Sequence, residues 1–306
     1  MTLPNDYRPE DFGEMIGNEG MIKSLGKMME REEGRPNCYL FTGPSGCGKT
    51  TAALIIKDMM NCDDLEFTEV NAADTNGIDL VRQIRKEMGF LPSKGLCRIW
   101  FFDECHRLTV PAQEGLLKAM ENPPSHVVLI FATTEPEKLK ITFKRRCTAY
   151  ELEPVSNKML AEHMIAVLKA EEKKAPKEVI KEIIKNSMGS PGIALGILDK
   201  VMELDEDEML ESVEKIAEEE SQVIELCRAI LNRKSWPVVA KILKGLSSEP
   251  ESTRRACLGF CSSVLLGDSE KLHANAYLVM DAMRGPFYDT GKPGLTLACY
   301  EALNCG

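Results

Sequence analysis

Gly43-Pro44-Ser45-Gly46-Cys47-Gly48-Lys49-Thr50 satisfies the pattern G-x-x-x-x-G-K-[ST]. Such a run binds a row of phosphates. Its glycines let backbone N–H groups approach phosphate oxygens, Lys49 sets a cation between the β- and γ-phosphates, and the Thr50 hydroxyl can ligate Mg²⁺. The helix opening here, with Thr51 as its next residue, adds its positive end. At average residue frequencies the four fixed positions recur by chance in roughly one chain of this size in a hundred. Here they also fall between the apolar run Cys38-Tyr39-Leu40-Phe41 and a helical pattern, as phosphate binding requires, so a coincidental Gly-rich turn is a poor account. A second constellation, Arg98-Ile99-Trp100-Phe101-Phe102-Asp103-Glu104, is an apolar run closing on two acids. At the carboxyl end of a parallel strand such acids lie beside the phosphate loop. Asp103 is the candidate Mg²⁺ partner, and Glu104 the candidate that orients or activates an attacking water. Alone, the two acids would read as the cap of a loop. Together with the phosphate loop they imply nucleoside triphosphate hydrolysis.

The elements that must carry these groups follow from periodicity. Strand-like runs at Cys38–Phe41, Glu66–Val70, Cys97–Phe102, Val127–Ala132 and Thr148–Leu152 alternate with helical stretches near Lys49–Met60, Ile78–Met88 and Pro111–Met120. That alternation predicts an α/β domain with a mostly parallel sheet flanked by helices. Met21, Ile22, Leu25, Met28 and Met29 have helical spacing. After Pro154 the strand signals stop. Helical segments follow near Asn157–Lys173, Lys177–Asn186 and Pro191–Met202. A further helical region runs from Asp205 to about Met283, with breaks expected at Ser235-Trp236-Pro237 and Gly267-Asp268, and then loop plus a short helix from Gly285. The expected domains are 1–153 (nucleotide binding), 154–204 (a helical lid) and 205–306 (all-helical).

Length and composition agree. The 306 residues are 43% hydrophobic and 28% charged, ordinary for a soluble globular chain of two or three domains. The longest apolar runs are too short to span a bilayer, and the N-terminus lacks the basic flank and apolar core of a secretory signal. The expected location is therefore cytoplasmic, without membrane contact. Net charge is −10, but residues 205–220 hold nine acids against Lys215 alone. That argues against unaided, non-specific DNA binding while leaving room for one basic face. The 11 cysteines include no Cys-x-x-Cys and read as reduced, mostly buried thiols. Cys257 and Cys261 could share a helix face, but nothing else in the chain completes a zinc site.

Beyond these motifs the residues resemble the clamp-loader branch of the AAA+ ATPases, the small subunits of replication factor C and the gamma/tau subunit of DNA polymerase III. Five features carry the likeness, in order over about the first 200 residues. These are Tyr7-Arg8-Pro9 with Phe12 and Ile16-Gly17; the phosphate loop; Asn71-Ala72-Ala73-Asp74 followed by Gly77-Ile78-Asp79; Asp103-Glu104-Cys105-His106-Arg107-Leu108 leading into Gln113 and Lys118-Ala119-Met120-Glu121; and Ala132-Thr133-Thr134-Glu135-Pro136 with Arg145-Arg146-Cys147.

The resemblance implies an Mg²⁺-dependent ATP hydrolase that opens a sliding clamp and loads it onto primer–template DNA within a pentameric ring of loader subunits. It implies that Arg8, Ile16 and Gly17 pack on the adenine, that Thr134 senses the γ-phosphate with Thr133 a near second, and that Arg146 reaches the neighbouring subunit's ATP. Thr75, Asn76, Arg82 and Lys118 would face DNA; Met88, Phe90 and Leu91 would face the clamp. His106 reads as a hydrogen-bonded loop residue. Residues 205–306 would form the collar that holds the ring. Arg145 stands where the family has Ser, and Gly192 where it usually has the second sensor arginine. The four-cysteine zinc module of bacterial gamma/tau is absent. Divergence and small size suggest a phage-encoded or otherwise compact system, which would place the chain in a host cytoplasm. Two alternatives remain: a branch-migration motor, which would need a winged-helix end that residues 205–306 do not suggest, and a weakly ATP-binding stator subunit, favoured by Gly192 and opposed by Lys49 and Glu104.

Overall fold

A computed structural model describes residues 2–31, 33–72, 77–265 and 270–304. They divide into two compact units, Met1–Met209 and Leu210–Gly306. In the first, β1 (Cys38–Thr42), β2 (Phe67–Asn71), β3 (Arg98–Asp103), β4 (Val127–Thr133) and β5 (Thr148–Glu151) form one parallel sheet in the order β2-β3-β4-β1-β5. Helices α1 (Leu3–Asp6), α2 (Glu19–Met29), α3 (Lys49–Met59), α4 (Ile78–Glu87), α5 (Val110–Glu121) and α6 (Ile141–Lys144) surround it. Three more, α7 (Asn157–Ala170), α8 (Lys177–Ser187) and α9 (Pro191–Val201), follow the last strand. The strand and helix spans expected from periodicity agree with these to within a few residues.

The sheet is parallel because its central strands are apolar on both faces and must be covered twice. All seven residues of β4 are buried. Along β3, Trp100 and Phe102 point to one layer and Ile99 and Phe101 to the other, as the two-residue period of a strand dictates. On the first side Phe131 stacks on Phe102 and meets Phe143 edge-on, with centroids 5.0 and 4.8 Å apart, beneath α4 and α5. On the second side Ile55 and Ile56 of α3 and Leu25 of α2 close the core. Burying a side chain of this size contributes about 1.5–3 kcal/mol. The sheet is therefore a rigid floor. Register pairs Thr42 with Thr133 and Asn71 with Asp103, so the carboxyl ends of four strands share one edge.

The second unit contains most of α10 (Glu206–Leu231), then α11 (Trp236–Gly245), α12 (Pro250–Leu265), α13 (Glu270–Ala282) and α14 (Gly291–Asn304). Its core includes Leu226, Ile230, Val239, Leu243, Val279, Met283 and Leu295. Two local expectations need correction. Residues 285 onward carry a helix of 14 residues, not a short one. Gly291, Pro293 and Gly294 weaken the local helix signal, but Leu295, Ala298, Cys299 and Ala302 bury a single face, and that packing outweighs propensity. A break between α11 and α12, before the Pro250 that opens α12, was not expected. The break expected at Gly267-Asp268 lies outside the described residues. Among described residues no helix is long and apolar enough to cross a membrane.

Candidate active site

The turn from β1 into α3 is built on left-handed glycines. Gly43 has φ 137°, and a Cβ there would stand 2.1 Å from the Leu152 carbonyl oxygen. Gly46 has φ 71°, and a Cβ there would meet Ser190 Oγ at 2.1 Å. Only glycine fits either position, so the loop can pass under the start of α9 while keeping its backbone exposed to a ligand. Lys49 opens α3 and is 7% exposed. Its Nζ donates to the carbonyls of Gly43 and Pro44 at 2.7 and 2.8 Å. Burial lowers its pKa, offset in part by Glu104 and Asp103. A buried cation held only by carbonyl dipoles and nearby carboxylates is well placed to gain a phosphate partner.

Asp103 ends β3. Its Oδ1 accepts from the Glu104 N–H at 2.9 Å, and burial raises its pKa. Glu104 follows in the left-handed region, at φ 46°, a conformation that costs on the order of 1–3 kcal/mol for a non-glycine residue and concentrates at functional sites. Its side chain turns toward β4, where Thr134 Oγ1 donates to Oε2 at 3.0 Å. His106, in the 3-10 turn that follows, places Nδ1 3.1 Å from the same Oε2. Burial pushes the Glu104 carboxyl up. The hydrogen bonds from His106 and Thr134, with the charges of His106 and Lys49, outweigh it and hold the pKa down to about 2. Glu104 is thus a carboxylate at neutral pH, in the form that could accept a proton.

These groups line one cavity. Ser45 to Thr51, Asp103 and Glu104 form its floor; Tyr7, Arg8, Pro9, Met15 and Ile16 one wall; His163, Pro191, Gly192 and Leu195 the other. Gly17 is not in the wall; a Cβ added there would meet Val155 at 3.1 Å. The N-terminal segment is tied to the helices beyond the sheet. Tyr7 Oη donates to Glu171 at 2.6 Å and the Leu3 N–H to Asp199 at 3.2 Å. The glycine cradle and buried Lys49 fit a nucleoside triphosphate. Thr50 and Asp103 supply hard oxygen donors that fit Mg²⁺. Among described residues no set of three His, Cys, Asp or Glu could hold a metal by itself.

Other residues singled out from sequence lie elsewhere. Arg146 pairs with Glu121 and donates to the Thr142 carbonyl at 3.2 Å; it does not line the cavity. Arg145 is exposed at the end of α6. Arg82 is exposed and paired with Asp79 at 2.7 Å, and Lys118 is exposed on α5. Thr75 and Asn76 lie outside the described residues. Met88 needs correction as a clamp-facing residue. It is 4% exposed and packs in the core with Ile84 and Trp100, because it caps α4 on the buried face. Phe90 and Leu91 are 60% and 76% exposed. Sequence reasoning did not bring in Glu135 or Lys138, and it left His106 outside the site. Two of these come from the loop after β4, and no spacing in the chain links them to Glu104. Ser190 and His163 were likewise silent, because only packing of the helices after β5 brings them to the phosphate loop and the cavity.

Residues 64–156 match the family model described as DNA polymerase III, delta subunit. The chain is 29% identical over 222 residues to the tau subunit of DNA polymerase III from Bacillus subtilis, covering 66% of this chain and 39% of that protein. It is 30% identical over 226 residues to the gamma/tau subunit of Mycobacterium tuberculosis, with the same coverage. Against the gamma subunit of Buchnera aphidicola it is 29% identical, covering 66% of this chain and 61% of the other. By sequence the chain is similar to these DNA polymerase III subunits over about two thirds of its own length. It spans about two fifths of the length of the first two of these relatives. The Holliday junction branch migration motor RuvB of Thermotoga maritima superimposes with a TM-score of 0.57 over 74% of this chain and 79% of that one, at 23% identity. That likeness extends the AAA+ fold assignment and goes no further than fold.

Proposed function

We propose that this chain is an ATP-hydrolysing subunit of a sliding-clamp loader, acting in the cytoplasm with other loader subunits, a clamp and primer–template DNA. The observation that carries the reading is the convergence of Lys49, Asp103 and Glu104 on one cavity at the ends of nearby strands, with Glu104 held ionised by Thr134, just after β4, and by His106 of its own turn. The Gly43–Thr51 loop would hold the phosphates, with Arg8 and Ile16 against the base. Thr50 and Asp103 would hold Mg²⁺, which supplies charge neutralisation on the phosphate oxygens. Lys49 would leave its two carbonyls for the β- and γ-oxygens. Thr134 would exchange Glu104 for the γ-phosphate, and Glu104 would take the proton of the attacking water. Arg146, outside its own cavity, would serve a neighbour's. The helices α7–α9 would act as the lid and the second unit as the collar. DNA contact from Arg82 and Lys118 would be to phosphates, and so salt-sensitive rather than sequence-specific.

A branch-migration motor shares the fold, but the sequence relatives described above are DNA polymerase III subunits. A stator that only scaffolds the ring is not favoured by a buried Lys49 beside an ionised Glu104. The test is ATP turnover by the chain with and without primed DNA and a clamp. Lys49→Ala should weaken ATP binding about 10²–10³-fold, since the phosphates lose the buried Lys49 cation. Glu104→Gln should keep binding and lose about 10²–10⁴ in rate. Parental turnover by the Glu104 variant would remove it as the base.

A further inference from the structure

The structure assigns a role to His106 that its position in the sequence does not disclose: we infer that it is a positioning residue for Glu104, the buried link in a relay from Lys138 through the half-buried Glu135. The His106 side chain is 2% exposed. Its Nδ1 lies 3.1 Å from Glu104 Oε2 and 2.9 Å from Thr133 Oγ1; its Nε2 lies 3.1 Å from Glu135 Oε1. Lys138 Nζ stands 2.6 Å from the other oxygen of Glu135. The Glu135 N–H donates to Thr133 Oγ1 at 3.0 Å, which locks the loop after β4 to the same hydroxyl that meets the ring. The imidazole is therefore fixed from both ends, each ring nitrogen facing a carboxylate.

Glu104 needs such help. A glutamate in a cleft has three free side-chain torsions, and a base that must meet a water within a few tenths of an ångström is only as good as the groups that orient it. Two donors grip the same oxygen, Thr134 from just beyond β4 and His106 from the turn. If Thr134 turns to the γ-phosphate when ATP binds, His106 is the donor that stays. In that state the relay alone would set the direction of the carboxylate. A histidine that merely fills a buried corner would not need the second acid, nor the lysine behind it.

The inference rests on Glu104 as the base, and the experiment separates the two. Single-turnover ATP hydrolysis and binding of a fluorescent ATP analogue are measured on the full chain carrying His106→Ala, His106→Asn, Glu135→Gln, Glu104→Gln and the doubles Glu104→Gln/His106→Ala and Glu104→Gln/Glu135→Gln. His106→Ala should slow hydrolysis about 10–100-fold with nucleotide affinity unchanged within about twofold. Asn, whose amide nitrogen can donate from near the Nδ1 position, should recover a large part of the loss. Glu135→Gln, on a side chain 31% exposed and so tolerant of change, should slow the reaction several-fold. In the Glu104→Gln background neither change should slow it further, because a residue that acts through Glu104 has nothing left to position. A loss of equal size in that background overturns the relay, and so does a His106→Ala defect expressed in affinity instead of rate. Should His106→Ala fail to fold, Glu135→Gln with and without Glu104→Gln decides between the same two outcomes. Parental hydrolysis by Glu104→Gln would instead reject the base itself, and with it any role for His106 through that residue.

Discussion

Gly192 stands where the clamp-loader resemblance leads one to expect an arginine, and the structure makes the departure testable. It sits in the first turn of α9 and lines the cavity beside the phosphate loop. A Cβ there would meet only the Gly46 carbonyl oxygen at 3.6 Å and its Cα at 3.7 Å, ordinary contact distances. Gly192→Arg should therefore be accommodated, with a stability gain of about 0.5–1 kcal/mol from removing a helical glycine. If the guanidinium reaches the phosphates, ATP affinity should rise about tenfold or more, the scale of one charge-assisted contact. Equilibrium binding of ATP and ADP to the variant checks this; unchanged affinity for both would mean that the lid does not approach the phosphates.

Two elements carry consequences of their own. The segment between α4 and β3 is held by Glu66, whose carboxylate accepts from Arg98 Nε at 2.5 Å and from the Ser93 N–H and hydroxyl at 2.6 and 2.7 Å. The Arg98 hydrogen bond leads in holding the Glu66 pKa down to about 2, against burial and with help from Ser93. A carboxyl depressed in the folded state contributes stability above its unfolded pKa, and that contribution is lost as pH falls from about 4 toward 2. Glu66→Gln should lower the urea midpoint at pH 7, and the gap to the parent should narrow across that acid window. A constant gap would remove Glu66 as the source. The same segment presents Phe90 and Leu91 to solvent while Met88 faces inward. Phe90→Ser with Leu91→Ser should leave stability within about 0.5 kcal/mol and weaken clamp binding about tenfold or more if these two are the anchor. Met88→Ala should instead cost about 2–5 kcal/mol. Unaltered clamp binding by the double Ser variant would send the search to another surface.

At the scale of the molecule, the cavity of a single chain holds Lys49, Asp103 and Glu104, and Arg146 is not in its wall. An arginine supplied across an interface contributes about 10³–10⁵ in rate to NTPases that use one. Arg146→Ala should then bind ATP normally and hydrolyse it poorly, with the defect in a neighbour's site. Mixing Arg146→Ala chains with Lys49→Ala chains should restore part of the activity, because some interfaces then pair an intact phosphate loop with an intact arginine. No recovery in confirmed mixed assemblies would place the finger elsewhere. Recovery with Arg145→Ala in place of Arg146→Ala would shift it by one residue.

The phosphate loop, the acids after β3 and the alternation of strand and helix were legible because each is written in neighbouring residues. A glycine pattern constrains its own backbone, and an apolar run between turn signals has few alternatives to a buried strand. The family likeness was legible for the same reason, since its motifs are contiguous runs. Features that depend on distant residues were not. Met88 and Phe90 are two positions apart, and only the packing of α4 against the sheet decides that one is core and the other surface. The length of α14 depends on partners that bury its face, against its own glycines and proline. The surroundings of Glu104 are assembled from β3, the turn after it and the loop after β4. The roughly 30 residues separating those parts carry no spacing signal, so Thr134, His106 and Glu135 become one site only where the parallel sheet sets their strand ends side by side.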